Sequence, residues 1–498
     1  MGIIIRQGIK HSIVRYTAIF LGLLSTIFIY PLVLDEIGLI RTIQAIALVM
    51  APIAHLGSNV AALRFFPRFN SDKIRSAGFF SRLNRTTLLG SLIVTGIYFL
   101  FQDQILGAYQ VTEHTYKDIF ILIPLFILLL AFSQLYETYA ANYMRIAIPA
   151  AIGELSLKVI LPALLLLYLG SYLDIKQVIY LLLLSYLFLD IGLLAYLKQQ
   201  IKGPLFARIP KLKDTFRKEL RSFSAYNLFT SLSILISIRI DLIMLSAMTN
   251  FTVSGIYSIN MLVGEVIDAP RQAFIKIVNP IISKAYKEND QEKIKDLYQN
   301  TSMHMFFASL LLFVGIISSI DDLYTIMPNG DLVATGKQVI YILGATKLID
   351  NAFGINSIVL QHSKWFRFLL FAVGFLAGVN IVNNYFLIPE YQMNGAALAT
   401  LISGLGFNLL KFFRIKQKLG FQPFTWKIPI LLVIGIIAYF AGTLIPTGIE
   451  GDAITTCLKI IGRSLLVGGV FLGIAIGIKI SPELNGLLRN FITKYLNR

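Results

Sequence analysis

Residues 177–221 of the chain are QVIYLLLLSYLFLDIGLLAYLKQQIKGPLFARIPKLKDTFRKELR. The first part, 177–197, carries a single charged side chain, Asp190, whereas 198–221 carries eight lysines and arginines. An apolar run of about 20 residues has the length that an α-helix needs to cross a bilayer. The sequence here therefore predicts a membrane-spanning helix that ends in a basic loop.

The same alternation of apolar runs and short basic clusters recurs along the chain. Of the 498 residues, 56% are hydrophobic and 14% are charged, whereas soluble domains have roughly 25% charged residues. The net charge of +17 is divided among loops between apolar runs, which is typical of membrane topology and not of nucleic-acid binding. We predict a polytopic, all-α membrane protein.

The sequence argues against metal sites and catalysis. Its one cysteine, Cys457, excludes a disulfide framework and a cysteine-based metal cluster. The five histidines lack metal-ligand spacing, and His55 in the second apolar run is interpreted as a core histidine in preference to a proton relay. No loop is long enough for a catalytic domain, so we predict a transporter without cofactor or metal, and not an enzyme.

Apolar runs predict about 14 transmembrane helices. The first, Ile13–Leu34, is too long for a signal peptide and no small-residue cleavage site follows it, so we interpret it as a membrane span. The predicted spans lie near residues 12–34, 38–62, 86–102, 118–140, 149–169, 177–197, 222–246, 254–282, 301–320, 337–361, 368–388, 393–413, 428–446 and 456–480.

Lysines and arginines are concentrated in the loops on one side of the predicted membrane. These loops contain Arg64, Arg68, Lys198, Lys202, Arg208, Lys211, Lys284, Lys364 and Lys411. The opposite loops contain few cations, Lys337 among them, and several acids, including Asp35, Asp103, Asp321, Asp322 and Glu450. This bias predicts a multi-pass inner-membrane protein with both termini in the cytoplasm.

The basic segment 198–221 divides the predicted spans into groups of six, six and two. We predict an N-terminal lobe over 1–197, a cytoplasmic linker over 198–221, a C-terminal lobe over 222–413, and two additional helices with a cytoplasmic tail over 414–498. Transporter halves commonly arise from repeats. A short correspondence supports this: Gly38-Leu39-Ile40 opens span two and Gly255-Ile256-Tyr257 opens span eight, with Ala51-Pro52 and Ala269-Pro270 at similar depths.

Charged residues remain inside or near the edges of the predicted spans, where each costs roughly 2.5–3.5 kcal/mol at a helix centre. Lys459, Lys276 and Glu137 lie near helix ends and are interpreted as interfacial, and Asp190 as a solvated or capped helix end. The full set is Glu137, Glu154, Lys158, Asp190, Arg239, Asp241, Glu265, Asp268, Arg271, Lys276, Lys347, Asp350, Lys459 and Arg463.

Two interpretations of these charges stay open, a polar cavity for an anionic head group and a set of interhelical salt bridges. In the first, Arg239, Arg271 and Lys347, with Lys158, bind a pyrophosphate, because the arginine fork matches phosphate geometry. The carboxylates would then serve ion coupling, since the chain has no nucleotide-binding motif. The ion-coupling candidates are Asp241, Asp268, Asp350, Glu154 and Glu265. Glu154 and Lys158 also have the spacing of an intrahelical pair.

Four stretches carry a resemblance to a known family: residues 57–68, 238–245, 255–285 and 388–400. They contain GSN followed by RFFPR, then IRIDLIML, then GIYS through PIISKA, and finally IPEY with NGAALAT. In this order, the sequence resembles the Wzx-type oligosaccharide flippases of the polysaccharide transporter family. That family belongs to the multidrug/oligosaccharidyl-lipid/polysaccharide exporter (MOP) superfamily.

The resemblance implies two six-helix lobes in a V shape around a central cavity, with two extra helices in longer members. It implies that the chain moves an undecaprenyl-pyrophosphate-linked oligosaccharide, an O-antigen or capsule unit, from the cytoplasmic to the periplasmic leaflet by alternating access. The implied partners are this lipid-linked substrate, membrane lipid, a coupling H⁺ or Na⁺, and a glycan polymerase or glycosyltransferases.

The alternatives are a lipid II flippase and a multidrug antiporter. A cationic drug favours an acidic cavity, which argues against the antiporter. A membrane glycan polymerase or acyltransferase is disfavoured because the sequence has no large outer loop.

Overall fold

The computed structural model describes residues 2–69, 73–109, 114–143, 147–201, 204–205, 207, 213–447, 453–480 and 485–486. These residues form α-helices joined by short turns, with no β-strand among them. Several predicted loop residues lie outside the described part, namely Lys202, Arg208, Lys211 and Glu450, as does the C-terminal tail after residue 486.

The helices are α1 Gly2–Phe28, α2 Leu34–Ala54, α3 Ser58–Phe65, α4 Lys73–Leu100, α5 Gln102–Ala108, α6 His114–Phe120, α7 Ile123–Ala141, α8 Ala147–Ala150, α9 Ser156–Leu169, α10 Ile175–Ile201, α11 Asp214–Met248, α12 Phe251–Glu265, α13 Ala269–Lys287, α14 Gln291–Ile326, α15 Gly330–Ala334, α16 Lys337–Phe353, α17 Asn356–His362, α18 Phe366–Leu419, α19 Lys427–Gly442 and α20 Ala453–Gly477.

Ten helices in the described ranges are long and apolar enough to cross a membrane. The helix boundaries differ from the predicted spans mainly where the backbone bends without a polar loop. The two predicted spans 368–388 and 393–413 form the single helix α18, which kinks at Gln392, where φ is 48°. The predicted span 337–361 is instead divided into α16 and α17 at Gly354. The number of membrane crossings therefore stays a prediction.

The helices pack into two compact units. The first comprises residues 1–258 and 380–396, and the second comprises 259–379 and 397–498. Helices α12 and α18 contribute to both. The predicted partition into two lobes, a linker and two extra helices stays a prediction.

Helix α2 lies at the centre of the first unit, where it packs against α11, α7 and α4. It buries apolar residues on several faces, including Ile37, Leu39, Ile40 and Ile43, as expected of a helix enclosed by others. The turn between α2 and α3 ends at Gly57, whose φ of 70° suits glycine. A Cβ at Gly57 would also lie 2.3 Å from the carbonyl oxygen of Ser224, so α3 approaches α11 closely there.

Helices α2 and α12 cross at two glycines within the first unit. A Cβ at Gly38 would lie 1.8 Å from the carbonyl oxygen of Phe251, and a Cβ at Gly255 would lie 1.9 Å from that of Leu34. The contact is therefore reciprocal: each glycine lies against the carbonyl group of the residue four positions before the other glycine. Small residues allow such close backbone approach between membrane helices.

The second unit is organised around α14, which packs against α13, α16, α19 and α20. One apolar core joins α14 to the last two helices, with Phe307 and Phe471 in contact at a ring separation of 5.2 Å. Another joins α13 and α14 to α17. The two additional predicted spans correspond to α19 and α20.

Candidate functional site

The second unit contains a polar cluster on α16, α17 and α18. Asn408 donates a hydrogen bond of 2.5 Å from Nδ2 to Oδ1 of Asp350. Its own Oδ1 accepts a hydrogen bond of 3.0 Å from Asn356. Asn408 and Asn356 are both buried, so Asp350, a predicted ion-coupling residue, is held by a side chain that is itself fixed.

Lys411 lies one turn after Asn408 in α18, with 2% of its surface exposed. Its Nζ donates to Oγ of Ser357 at 3.1 Å and lies 3.6 Å from the ring centroid of Phe407. The charges of Asp350 and Arg271 act on it, but no carboxylate in the described ranges forms an ion pair with it. Its assignment to a loop is wrong, because α18 continues to Leu419.

Arg271 and Asp268 form an intrahelical pair, with 3.5 Å between Nη1 and Oδ1. Asp268 ends a 3₁₀ turn, Val266–Asp268, at the start of α13. The Nε of Arg271 is buried and has no hydrogen-bond partner in the described part of the chain. The salt bridge to Asp268 thus provides a partner for Nη1 of this guanidinium but not for its Nε.

Lys347 and Glu265 complete the predicted residues of the second unit. Lys347 is partly buried in α16, and Glu265 is exposed at the end of α12. Neither has a side-chain hydrogen bond or ion pair within the described ranges. Lys347 is thus available to a ligand, whereas the role of Glu265 stays a prediction.

In the first unit, Asp241 is buried and engaged. Its Oδ2 accepts a hydrogen bond from the hydroxyl of Tyr257, and its Oδ1 accepts one of 2.8 Å from the backbone N–H of Leu242. Arg239 is only partly buried on α11. This difference from Asp241 is expected, because residues two positions apart lie on different faces of a helix. Arg239 belongs to the first unit, whereas Arg271 and Lys347 belong to the second, so the space that they share in our interpretation stays a prediction.

Glu154 and Lys158 do not lie on one regular helix. Glu154 belongs to a π-helical turn, Ala151–Leu155, that precedes α9. The Nζ of Lys158 lies 3.4 Å from the Cβ position of Gly22 on α1. The sequence spacing therefore did not reveal the local backbone, and π-helical turns are frequent at functional sites.

The structure adds a carboxylate pair that the sequence interpretation missed. Asp190 is 6% exposed, which contradicts its interpretation as a solvated helix end. Its Oδ1 accepts a hydrogen bond of 2.5 Å from Ser133, whereas its Oδ2 is buried without a partner among the described residues. The charge of Glu137 acts on it. Glu137 itself lies against Gly153 of the π-helical turn, with Oε1 2.1 Å from that glycine's Cβ position.

Arg463 of α20 forms a buried ion pair with Asp322 of α14. Arg463 also donates from Nη2 to the carbonyl oxygens of Ile445 and Pro446, at 2.9 and 3.2 Å. Asp322 is 2% exposed, so its assignment to an outer loop is wrong. His55 is buried beside Gln134, in agreement with a core histidine.

Comparisons with known proteins identify the fold. No protein-family model matches the sequence. An uncharacterized membrane protein of Methanocaldococcus jannaschii is 27% identical over 274 residues, which cover 53% of this chain and 63% of that protein. The matched region is thus less than two thirds of the relative.

Solved structures resemble the chain over most of its length. The lipid II flippase MurJ, in an inward closed conformation, has a TM-score of 0.70 at 14% identity, covering 95% of this chain and 100% of MurJ. An inward-facing multidrug resistance MATE transporter of the MOP superfamily has a TM-score of 0.63 at 12% identity, covering 81% and 94%. A MOP superfamily transporter from Pyrococcus furiosus has a TM-score of 0.51 at 12% identity, covering 84% and 95%.

These likenesses confirm the all-α, multi-pass membrane fold, which is that of MOP superfamily transporters and flippases. The identities are too low to transfer a substrate. The predicted Wzx-type specificity therefore stays a prediction.

Proposed function

We propose that this protein is a flippase for an undecaprenyl-pyrophosphate-linked oligosaccharide, an O-antigen or capsule unit. In this proposal it moves the unit from the cytoplasmic to the periplasmic leaflet of the bacterial inner membrane by ion-coupled alternating access. Both termini face the cytoplasm, and a glycan polymerase or glycosyltransferases are its expected partners. The fold supports a membrane transporter, and the cations of the second unit support an anionic substrate.

The observation that carries the proposal is the environment of Lys411. An ammonium group removed from water is costly unless it is paired and hydrogen-bonded. Among the described residues, the Lys411 ammonium donates to one hydroxyl and lies over one aromatic ring. Lys347 and the free edge of Arg271 add cationic donors in the same unit. A phosphate or pyrophosphate would supply the negative charge and the acceptor oxygens that these cationic donors need as partners.

Asp350 gives the proposal a route to ion coupling. Because its charge acts on Lys411, a phosphate bound to Lys411 would repel the Asp350 carboxylate and favour its neutralisation by H⁺ or Na⁺. Asp241, Asp268, Glu154 and Glu265 are the other candidates. Asp241 is the most enclosed of these, and its hydrogen bond from Tyr257 would have to rearrange on ion binding.

A lipid II flippase is the second candidate, because the likeness to MurJ extends over 95% of the chain. The substrates of both candidate flippases contain a pyrophosphate on a polyprenyl chain, so the same cationic residues could bind either substrate. A multidrug antiporter is less well supported, since buried cations repel a cationic drug.

Purified protein in proteoliposomes tests the proposal. One arm contains a fluorescent undecaprenyl-pyrophosphate-linked oligosaccharide, and the other contains fluorescent lipid II. We expect faster transfer between leaflets in the first arm and a dependence on a proton or sodium gradient. Transfer of lipid II alone would select the second candidate, and transfer of neither lipid would refute the proposal.

A further inference from the structure

Three arginines of the first unit converge from two helices. Helices α4 and α11 meet in one apolar cluster that contains Leu83 of α4 and has Leu220 of α11 packed against it. Arg82 precedes Leu83 in the chain, Arg221 follows Leu220, and Arg217 lies one turn before Arg221. The charges of Arg217 and Arg221 act on Arg82. Like charges in proximity are repulsive, so this arrangement is unfavourable unless an anion offsets it. Arg82 and Arg217 are also partly buried, which weakens the screening of their charges by water.

The described carboxylates near these arginines leave most of the positive charge uncompensated. Asp214 lies 3.6 Å from Arg217, but its side chain is 87% exposed. Glu219 is occupied by Arg68, which donates two hydrogen bonds to it at 2.8 and 3.1 Å. In the described part of the chain, Nε of Arg217 is buried without a hydrogen-bond partner.

The surface beyond the arginines is apolar on both helices. Leu88, Leu89 and Leu92 of α4 are exposed, as are Tyr226 and Phe229 of α11. Leu89 follows Arg82 by seven residues, which is about 10 Å along a helix. A ligand with a charged head and a long apolar tail would match both parts of this surface, whereas a soluble anion would match only the arginines.

We infer that Arg82, Arg217 and Arg221 bind the phosphoryl head group of an anionic membrane lipid whose chains lie along the exposed residues of α4 and α11. The arginine fork donates paired hydrogen bonds to phosphoryl oxygens, which a lysine cannot do. This lipid site lies within the first unit and is separate from Lys411, Lys347 and Arg271. It does not depend on the proposed transport activity.

Lipid retention measured by native mass spectrometry tests the inference. The full-length protein is released from phosphatidylcholine micelles that contain phosphatidylglycerol, and bound phosphatidylglycerol is counted. We expect the triple variant Arg82→Gln/Arg217→Gln/Arg221→Gln to bind it about 100-fold more weakly, because each basic residue near an anionic lipid surface contributes roughly 1 kcal/mol. The control Lys287→Gln/Lys293→Gln/Lys295→Gln removes three exposed charges of the second unit and should retain wild-type binding.

The charge-preserving variant Arg82→Lys/Arg217→Lys/Arg221→Lys separates a built site from diffuse attraction. Loss of at least tenfold in affinity supports the site, whereas wild-type binding would overturn it. If the glutamine variant fails to insert, Arg221→Gln alone, at an exposed position, should still weaken binding about fivefold. Inorganic phosphate, titrated into micelles of phosphatidylcholine alone, distinguishes the source of the anion. Phosphate binding as tight as that of phosphatidylglycerol would overturn the assignment to a lipid.

Discussion

Arg463 and Lys411 are both cations enclosed in the second unit, and they differ in what surrounds them. Arg463 is 0% exposed and donates to Asp322 and to two backbone carbonyls. Lys411 is 2% exposed and donates to one serine hydroxyl. A buried charge whose hydrogen-bond and ion-pair partners all come from the protein needs no ligand to stabilise it. A buried charge that lacks some of these partners indicates that a bound ligand supplies them. We therefore interpret Arg463 as structural, whereas Lys411 is the residue that we propose to contact the substrate.

The largest expected effect follows from removing one member of the complete pair. Asp322→Ala should lower the free energy of unfolding by about 3–5 kcal/mol, because it leaves the Arg463 guanidinium buried without a carboxylate. The measurement is thermal or denaturant unfolding of the purified protein in detergent. The double variant Asp322→Leu/Arg463→Met should recover most of the loss. A stable single variant would break the comparison.

Replacement of Lys411 should separate stability from transport. Lys411→Met removes an incompletely paired buried charge, so the unfolding temperature should stay the same or rise. Transport should fall roughly 10- to 100-fold, the value of a charge-assisted hydrogen bond of about 1.5–3 kcal/mol. The matched control is Lys416→Met, on the same helix but exposed. If Lys411→Met transports at the wild-type rate but unfolds readily, Lys411 is structural.

Lys347 offers an intermediate case, because it is partly buried and has no partner in the described ranges. Lys347→Gln should reduce transport about three- to tenfold, since a solvated cation contributes less than an enclosed one. High salt should weaken the wild-type contribution of Lys347 more than that of Lys411. If Lys347→Gln and Lys411→Met show the same salt dependence of transport, the exposure of the two lysines does not determine how much each contributes to transport.

The smallest effect is expected at an exposed pair on the same unit. Lys337 donates to both carboxylate oxygens of Asp321, at 2.6 and 2.8 Å, but the two side chains are 31% and 49% exposed. Lys337→Ala should change the free energy of unfolding by less than about 1 kcal/mol. A loss as large as that of Asp322→Ala would mean that pairing alone, and not burial, determines stability.

The apolar runs were sufficient to predict a helical membrane protein, because about 20 residues without charge have few other stable conformations in a bilayer. They did not predict that α18 continues through 388–393, since the bend there comes from the left-handed backbone of Gln392 and not from a change in polarity. The apolar runs also did not show that α14 continues to Ile326, beyond the predicted span 301–320, and therefore Asp322 was placed in a loop.

The site was predicted less completely than the fold. Depth along a span selected Arg271, Lys347 and Asp350 as candidates, because charge inside an apolar run is visible in the sequence. Lys411 was missed because it lies at the end of its run, where helix and loop have the same composition. Its spacing of three residues from Asn408 was the available signal. Which residues meet across helices, as Asp190 and Ser133 do, depends on packing that no single run specifies.

The crossing of α2 and α12 carries information about the ancestry of the chain. Gly38 and Gly255 are 217 positions apart, the same separation as Asp35 and Thr252, which are joined by a hydrogen bond of 3.2 Å. Equivalent positions touch each other reciprocally only at a twofold axis, where the two subunits of a homodimer meet. Gene duplication followed by fusion of such a dimer would leave this contact, and a half-length ancestor would have needed only one glycine to form it. In the present chain, both positions require glycine, because a side chain at either one would collide with the backbone of the other helix.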